Sequence, residues 1–411
     1  MNKLEAVAAL PARVPLRDRI AAKLVLGQLG QWSAGALTVS LPDAAVLELG
    51  DPTSVQRVRV TVRDWRFFWR ALTAGDIGVG ESYMAGEWEC DDLVELCRLF
   101  VRDQSMLEYR SAWTLPARLR HALLRVARAN TLRGSRRNIQ YHYDLSNDLY
   151  RLFLDDSMTY SCAIFERSDM SLEEAQQQKI DQICQRLHLA PGLEVLEIGS
   201  GWGAFAIHAA HRYGCRVTSL TLSDEQLQLA RERVAAAGVA SSVDVRLCDY
   251  RQVTGRFDRI VSIEMFEAVG YEYYGAFFGQ CSRLLKPGGR MFLQTITMSD
   301  QRFDDYRRDF DWIRKYIFPG SLLASVAAIA RALQVHTDLR IEWMQDIGLH
   351  YAHTLRCWRE RFMRRLPAVR ALGFDERFIR MWEFYLASCE AGFSTRHIGD
   401  AQLVLAKPEG R

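Results

Sequence analysis

The feature that most constrains the fold is an alternation of strand and helix patterns that begins at about Leu187. The strand patterns are LEVLEIG, RVTSLTL, VDVRLCDY, FDRIVSIEMF and GGRMFLQTIT. Strands that alternate with helices of about 10–15 residues are typical of a parallel sheet with helices on both faces. We therefore expect an α/β fold with a doubly wound, Rossmann-like core.

A glycine-rich loop follows the first of these strands and reads Glu197-Ile-Gly-Ser-Gly-Trp-Gly203. Its three glycines would let the backbone approach a ligand closely. The acidic residue precedes the glycines, whereas a dinucleotide fingerprint places an acid about 20 residues after them. Asp249 and Tyr250 end the third strand, where a polar and an aromatic residue can bracket an adenine. The pattern favours S-adenosylmethionine (SAM) over a nicotinamide cofactor or a ligand-free turn.

The end of the fourth strand indicates which kind of atom accepts the methyl group. It ends in Ser262-Ile-Glu-Met-Phe-Glu-Ala-Val-Gly270. This sequence lacks the Asn/Asp-Pro-Pro-Tyr turn that is common in methyltransferases acting on amino groups of bases and glutamine. We therefore do not expect an exocyclic nitrogen as the acceptor.

The part of the chain before this core has a mixed pattern. Ser54–Val62 alternates polar and apolar residues, as a half-buried strand does. Trp65–Leu72 has a helical pattern that Gly75 ends, and a second helix begins at about Asp92. Further glycines at positions 78, 80 and 86 predict a turn-rich stretch between the two helices. We expect a small α+β domain over residues 1–116.

A basic segment follows this domain. Between Tyr109 and Tyr143 the chain has eight arginines and no acidic residue, and its leucines recur at roughly helical spacing. The pattern predicts a basic linker helix over residues 117–137. Such a helix is either a solvated spacer or a segment attracted to anionic phospholipid.

Composition excludes several classes of protein. The 411 residues carry a net charge of +3 and are 49% hydrophobic, which argues against a disordered or polyanion-binding chain. No apolar run reaches the roughly 20 residues of a membrane-spanning helix, and Glu5 interrupts the apolar core that a signal peptide needs. The nine scattered cysteines, without a C-x-x-C pair, indicate reduced thiols. We expect a cytoplasmic protein without a metal site or a nucleic-acid partner.

Eight ordered blocks between about residues 75 and 408 carry a family resemblance: GESYMAGEWECDDL, HYDLSNDLY, MTYSCAIF, EIGSGWG, TLSDEQ, FDRIVSIEMFEAVG, KYIFPGSLLAS and YLASCEAGF. They resemble the cyclopropane-fatty-acyl-phospholipid synthase family, which includes the mycolic acid cyclopropane synthases. The resemblance implies a lipid-contacting N-terminal domain and a class I methyltransferase domain over residues 138–408 with helical lid insertions. It also implies transfer of a methylene group from SAM to the cis double bond of an acyl chain.

The resemblance further implies two sets of site residues. The residues expected to hold SAM are Tyr143, Tyr160, Ser161, Glu197, Ile198, Gly199, Gly201, Gly203, Thr221, Leu222, Gln226, Asp249 and Tyr250. The residues expected at the reaction, from the family's bicarbonate pocket and its active-site cysteine, are Cys162, Glu267, Gln294, Ile296, Tyr351 and Cys389. Two positions depart from the family motifs, because Ala268 and Gln294 stand where histidine is usual. The amide of Gln294 can donate a hydrogen bond but cannot titrate.

The implied reaction needs a base. An alkene that accepts a methyl group becomes a carbocation, which must be shielded from water and must lose a proton. We predict that Glu267, as the only ionisable carboxylate of the pocket, takes part in removing this proton. It would act directly or through a bound bicarbonate ion.

We therefore predict an enzyme at the inner membrane surface that uses SAM to form cyclopropane rings on unsaturated acyl chains of phospholipids. A methylene- or methyl-branched product is the alternative within this class. A small-molecule or RNA methyltransferase is the alternative outside it. The sequence leaves open the double-bond position, the headgroup preference and the oligomeric state, a homodimer included.

Overall fold

The computed structural model describes residues 14–103 and 146–410, together with Asn130, Gly134 and Asn138. The first of these ranges forms a four-stranded sheet with three helices, and the second forms a seven-stranded sheet with helices around it. The predicted domain boundary at residue 116 lies outside the described residues. The predicted basic linker over residues 117–137 lies outside them as well, apart from Asn130 and Gly134.

The N-terminal sheet has the strand order β2-β1-β3-β4, with β1 and β3 parallel and the other pairs antiparallel. Its strands are β1 (Ala36–Ser40), β2 (Val46–Gly50), β3 (Arg57–Val62) and β4 (Trp88–Cys90). Its helices are α1 (Leu16–Leu29), α2 (Arg66–Met84) and α3 (Leu93–Arg102). Buried and exposed residues alternate along β3, which is the pattern predicted for Ser54–Val62. The side chain of Asp92 caps α3, at the predicted start of the second helix.

Helix α2 corrects the predicted turn-rich stretch. The helical backbone breaks at Gly75 (φ 56°, ψ −132°), the predicted end of the first stretch, but a second helical stretch follows directly and continues to Met84. A Cβ at Gly78 would lie 1.9 Å from the carbonyl oxygen of Arg70, and a Cβ at Gly80 would lie 2.4 Å from the Trp312 ring. Both glycines therefore serve close packing inside a helix rather than a turn.

The larger sheet has the strand order β10-β11-β9-β8-β5-β6-β7. Its strands are β5 (Glu194–Ile198), β6 (Arg216–Thr221), β7 (Val243–Leu247), β8 (Phe257–Ile263), β9 (Leu285–Met298), β10 (Arg340–Asp346) and β11 (Ile398–Ala406). The strands β7, β6, β5, β8 and β9 are parallel, whereas β11 and β10 join antiparallel. The predicted doubly wound α/β core is confirmed. The chain leaves β5 toward β6 on one side and returns as β8 on the other, so a crevice lies at the carboxyl end of β5.

Helices cover the larger sheet and extend beyond it. They are α4 (Asn147–Arg151), α5 (Leu172–Arg186), α6 (Ala204–Tyr213), α7 (Asp224–Ala236), α8 (Tyr274–Leu284), α9 (Asp300–Arg308), α10 (Trp312–Tyr316), α11 (Val326–His336), α12 (Gly348–Arg364), α13 (Leu366–Ala371) and α14 (Glu376–Ser394). Ser171 and Glu174 form a capping box on α5. Ser223 caps α7 by accepting from the backbone N–H of Gln226.

The N-terminal sheet and its helices pack against α14. The hydroxyl of Tyr83 donates to Glu383 at 2.7 Å, and the guanidinium of Arg380 donates to the carbonyl oxygen of Trp88 at 2.7 Å. Ala387 and Ala391 of α14 belong to the hydrophobic core of the N-terminal sheet. Helix α14 thus joins both parts of the molecule through polar and apolar contacts.

Three general predictions concern the described part of the chain. None of the helices there is long and apolar enough to cross a membrane. All nine cysteines lie in that part and are free thiols, as their spacing predicts. Among residues 14–103 and 146–410, no group of three or more His, Cys, Asp or Glu side chains is arranged to hold a metal ion.

Candidate active site

The glycine loop lies at the carboxyl end of β5. Gly199, Gly201 and Gly203 all have positive φ values, of 102°, 48° and 89°, which glycine adopts without steric cost. A Cβ at Gly199 would lie 3.0 Å from the Cβ of Met265, whereas a Cβ at Gly201 would meet no protein atom within 4 Å. Gly201 therefore presents bare backbone to an open space, as a closely approaching ligand requires.

That space is a cavity formed by the loops after β5, β6, β7 and β8 and by the segment before α5. The predicted cofactor residues that line it are Tyr160, Ser161, Glu197, Ile198, Gly199, Gly201, Thr221, Leu222, Gln226 and Tyr250. Gly203 is not in the lining and is the N-cap residue of α6. The carboxylate of Asp249 is not in the lining either, because the guanidinium of Arg251 holds it at 2.6 and 2.8 Å. Tyr143 lies outside the described residues.

The polar side chains of this cavity suit a nucleoside ligand. Glu197 is buried and accepts a hydrogen bond from Ser219, and burial raises the pKa of its carboxyl to about 8. The hydroxyl of Thr221 donates to the side chain of Gln226 at 2.8 Å. The sequence favours SAM here, and the bare backbone at Gly201 together with the polar side chains of the lining fits that group.

A second carboxylate, Glu264, projects into the same cavity directly after β8. Its Oε1 accepts from the backbone N–H of Cys162 and from the amide of Gln294, each at 2.8 Å. Its Oε2 accepts from the hydroxyl of Tyr351 at 2.6 Å. These three donors belong to the predicted bicarbonate pocket, and all three are directed at Glu264. The residues present therefore do not fit a separate bicarbonate ion.

More polar groups lie behind Glu264. The amide of Gln294 also donates to Asp400 at 3.1 Å and accepts from Gln402 at 2.9 Å. Burial and the neighbouring charge of Glu264 raise the pKa of Asp400 well above its usual range. Burial raises the pKa of Glu264 as well, but its three hydrogen-bond donors favour the charged form, so Asp400 has the stronger tendency of the two carboxyls to hold a proton. The prediction that Glu267 is the only ionisable carboxylate of the pocket is wrong.

Glu267 lies on the turn that follows Glu264, but it is not in the cavity lining. Its Oε1 accepts from the backbone N–H of Ile296 and from the hydroxyl of Thr295. Its buried Oε2 has no hydrogen-bond partner among the described residues. Burial raises the pKa of Glu267 to about 7. Glu267 thus contacts β9 rather than the open space.

The two predicted cysteines have different positions. Cys162 contributes its backbone N–H, while its buried thiol faces the carbonyl oxygens of Ala163 and Ile347 at 3.2 and 3.7 Å. Cys389 lies on α14 and is not in the cavity lining. Burial raises the pKa of the Cys389 thiol to about 12 and that of Cys162 well above its usual range. Neither thiol is a thiolate at neutral pH, so neither is an activated nucleophile.

Sequence reasoning missed three residues of this site. They are Glu264, Asp400 and Lys179, whose fully buried ammonium lines the cavity and donates to the hydroxyl of Ser161 at 2.7 Å. Glu264 lies within a block that carries the family resemblance, so its position was available as a signal. Lys179 and Asp400 lie within an ordinary helix and strand pattern, and nothing in their local sequence marks them.

Comparison with known proteins assigns the family. A family model described as mycolic acid cyclopropane synthetase matches residues 130–403. The chain belongs to this family. Tuberculostearic acid methyltransferase UfaA1 of Mycobacterium tuberculosis is 46% identical over 344 residues, which cover 81% of this chain and 79% of the relative. Cyclopropane-fatty-acyl-phospholipid synthase of Escherichia coli K12 is 39% identical over 352 residues, which cover 85% and 87%.

Solved structures of family members have the same fold. Cyclopropane synthase MmaA2 of Mycobacterium tuberculosis superposes with a TM-score of 0.62 at 34% identity, over 66% of this chain and 98% of its own. Mycolic acid cyclopropane synthase CmaA1, solved with S-adenosylhomocysteine, superposes with a TM-score of 0.62 at 36% identity and the same coverage. The chain is a SAM-dependent methyltransferase with a class I core, and this family member transfers a one-carbon group to fatty acyl chains.

Proposed function

We propose that this cyclopropane synthetase family member acts on unsaturated acyl chains of membrane phospholipids and closes a cyclopropane ring at their cis double bond. The observation that supports the proposal is that two functional features line the same cavity. The glycine loop with Gly201 lines one part of it, and the buried carboxylate of Glu264 lines another. The name of the Escherichia coli relative supports the phospholipid substrate.

When bound, SAM supplies an electrophilic methyl group. The chain's own residues would align the double bond with it, and alignment alone is worth roughly 7–11 kcal/mol. Aromatic rings pack close to Glu264: Tyr160 lines the cavity, and the buried ring of Trp358 lies behind it, 5.1 Å from the ring of Tyr160 and 6.0 Å from that of Tyr351. Such rings exclude water and stabilise a nearby positive charge by about 0.5–2 kcal/mol each. A carbocation on the acyl chain would need both effects.

A methyl- or methylene-branched product is the second candidate. The 46% identical relative is named for tuberculostearic acid, which favours a branch. Gln294 also supports it, because its amide is held by Glu264, Asp400 and Gln402 and cannot titrate. Ring closure and a methylene branch both remove a proton from the transferred methyl group. They differ in whether a hydride shift moves the positive charge first.

The test is the composition of phospholipid fatty acids after expression in a host that lacks its own cyclopropane synthase. We expect mass spectrometry to find unsaturated acyl chains heavier by one CH2 group, and catalytic hydrogenation to separate a ring from a methylene branch. Purified enzyme with oleoyl phospholipid vesicles or free oleic acid then tests the substrate. Modification of the free acid alone would contradict the phospholipid assignment, and an unchanged lipid profile would contradict the proposed function.

A further inference from the structure

We propose that Glu264 is the resident base of this enzyme, with its side-chain carboxylate taking the place of a bound bicarbonate ion. The inference rests on the proposed function, because it assigns the group that receives the proton in that reaction. The prediction from sequence assigned proton removal to Glu267, directly or through bicarbonate. The contacts of the two carboxylates favour a different assignment.

The first argument is that the donors of the pocket converge on Glu264. A backbone N–H, a side-chain amide and a phenol hydroxyl reach its two oxygens at 2.6–2.8 Å, from Cys162, Gln294 and Tyr351. These donors come from three separate segments, and together they form a preorganised hydrogen-bonding site for one carboxylate. Charged acceptors with several donors are strongly held. No donor of this set remains free for a second anion, because each already contacts Glu264.

The second argument is the backbone at this position. Glu264 has a φ of 48°, in the left-handed region that is sterically unfavourable for a residue other than glycine. Glycine would adopt the same φ without this cost. The N–H of Glu264 donates to the carbonyl oxygen of Gln294 at 2.8 Å, which holds the strained residue in place. Backbone strain of this kind persists where the surrounding structure over-determines it, and such positions cluster at active sites.

The third argument is access to the reacting group. Glu264 lines the cavity together with Gly201 and Tyr160, whereas Glu267 and Asp400 are absent from its lining. The charged and titratable groups that influence Glu264 are Lys179, Tyr351, Cys162, Glu267 and Asp400. Of the other carboxyls nearby, Asp400 lies outside the lining and Glu267 faces β9. Glu197 lines the cavity but accepts from Ser219 of β6. Glu264 is therefore the carboxylate that the three pocket donors hold at the open space.

The step balances without any further reactant. One C–H bond of the transferred methyl group breaks, and its electron pair forms the C–C bond that closes the ring. For a methylene branch, the same pair forms the C=C bond. The proton goes to an oxygen of Glu264, the acyl chain becomes neutral, and the carboxyl returns the proton to solvent before the next turnover.

The first experiment uses the wild-type full chain. We expect turnover on oleoyl phosphatidylglycerol vesicles in carbonate-free buffer to be unchanged when bicarbonate is added. We also expect no binding of 13C-labelled bicarbonate, followed by NMR, which is a measurement that does not need activity. Stimulation or saturable binding of bicarbonate in the wild type would overturn the proposal. If the wild type modifies no lipid at all, the proposed function fails, while the binding measurement still tests Glu264.

The second experiment uses three variants, with the circular dichroism spectrum and urea unfolding as the check on folding. Glu264→Gln keeps the shape of the side chain but cannot take the proton, so turnover should fall by about 10²–10⁴-fold. Glu264→Gly removes the side chain where glycine fits the backbone, so added bicarbonate should bind and restore turnover. The exposed Glu272 on the same loop gives the matched control, Glu272→Gln, with normal turnover. Turnover of Glu264→Gln close to that of the wild type would overturn the proposal.

Discussion

At the residue scale, the backbone of the glycine loop decides how closely SAM can approach. An added side chain at Gly201 meets no protein atom, so Gly201→Val would project into the cavity. We expect its SAM dissociation constant to rise by about 100-fold or more, measured by calorimetry. Gly238 also has a positive φ, of 71°, and a Cβ there would meet no atom within 4 Å. Unlike Gly201, it does not line the cavity. Gly238→Val therefore controls for backbone strain, and equal SAM affinity of the two variants would contradict the prediction.

A second residue-scale prediction concerns Glu267 and pH. Burial raises its pKa from 4.5 to about 7, so the folded state binds more protons than the unfolded state between these values. The contribution of Glu267 to stability is therefore complete below pH 4.5 and is lost as the pH rises through 7. Between pH 5 and pH 8 the wild type should lose about 2.5 kcal/mol more than Glu267→Gln in its free energy of unfolding. Urea unfolding at both pH values tests this, and parallel losses would contradict it.

At the scale of elements, α2 depends on glycine for its contact with α10. Gly80→Ala would place a Cβ 2.4 Å from the ring of Trp312 and should lower the free energy of unfolding by about 1–3 kcal/mol. Gly27 lies exposed in α1 with no atom near its missing side chain, so Gly27→Ala should raise stability by about 0.5–1 kcal/mol. Urea unfolding of both variants is the measurement. Equal effects would mean that the packing of Trp312 does not require Gly80.

At the scale of the whole molecule, membrane attachment is predicted to depend on charge. The arginines concerned lie in the basic segment outside the described residues and are Arg118, Arg120, Arg125 and Arg128. Each basic residue near an anionic surface contributes about 1 kcal/mol, so their fourfold change to glutamine should weaken sedimentation with phosphatidylglycerol vesicles. Salt should weaken binding of the wild type in the same way.

A matched variant separates this local effect from net charge. It changes four exposed arginines elsewhere to glutamine, namely Arg167, Arg212, Arg246 and Arg308. We expect it to bind vesicles nearly as well as the wild type, because the four changed arginines are not part of the basic segment in the sequence. Equal loss in both variants would show that only the total charge matters.

The sequence by itself determined the parallel core, the glycine loop and the family. These features depend on local information: the period of apolar residues marks strands and helices, and the loop motif is continuous along the chain. The same local reasoning failed at Gly78 and Gly80. The sequence does not distinguish a glycine that turns the chain from one that makes room for a distant side chain. Gly80 makes room for Trp312, which lies more than two hundred residues away.

Only the tertiary structure decided which carboxylate faces the cavity. The three donors to Glu264 lie 102, 30 and 87 positions away from it, so no local pattern could bring them together. The sequence identified Glu267 by its motif, and the fold turned it toward β9. Burial then set the protonation of the neighbouring groups, because desolvation depends on the surroundings of a side chain and not on its neighbours along the chain.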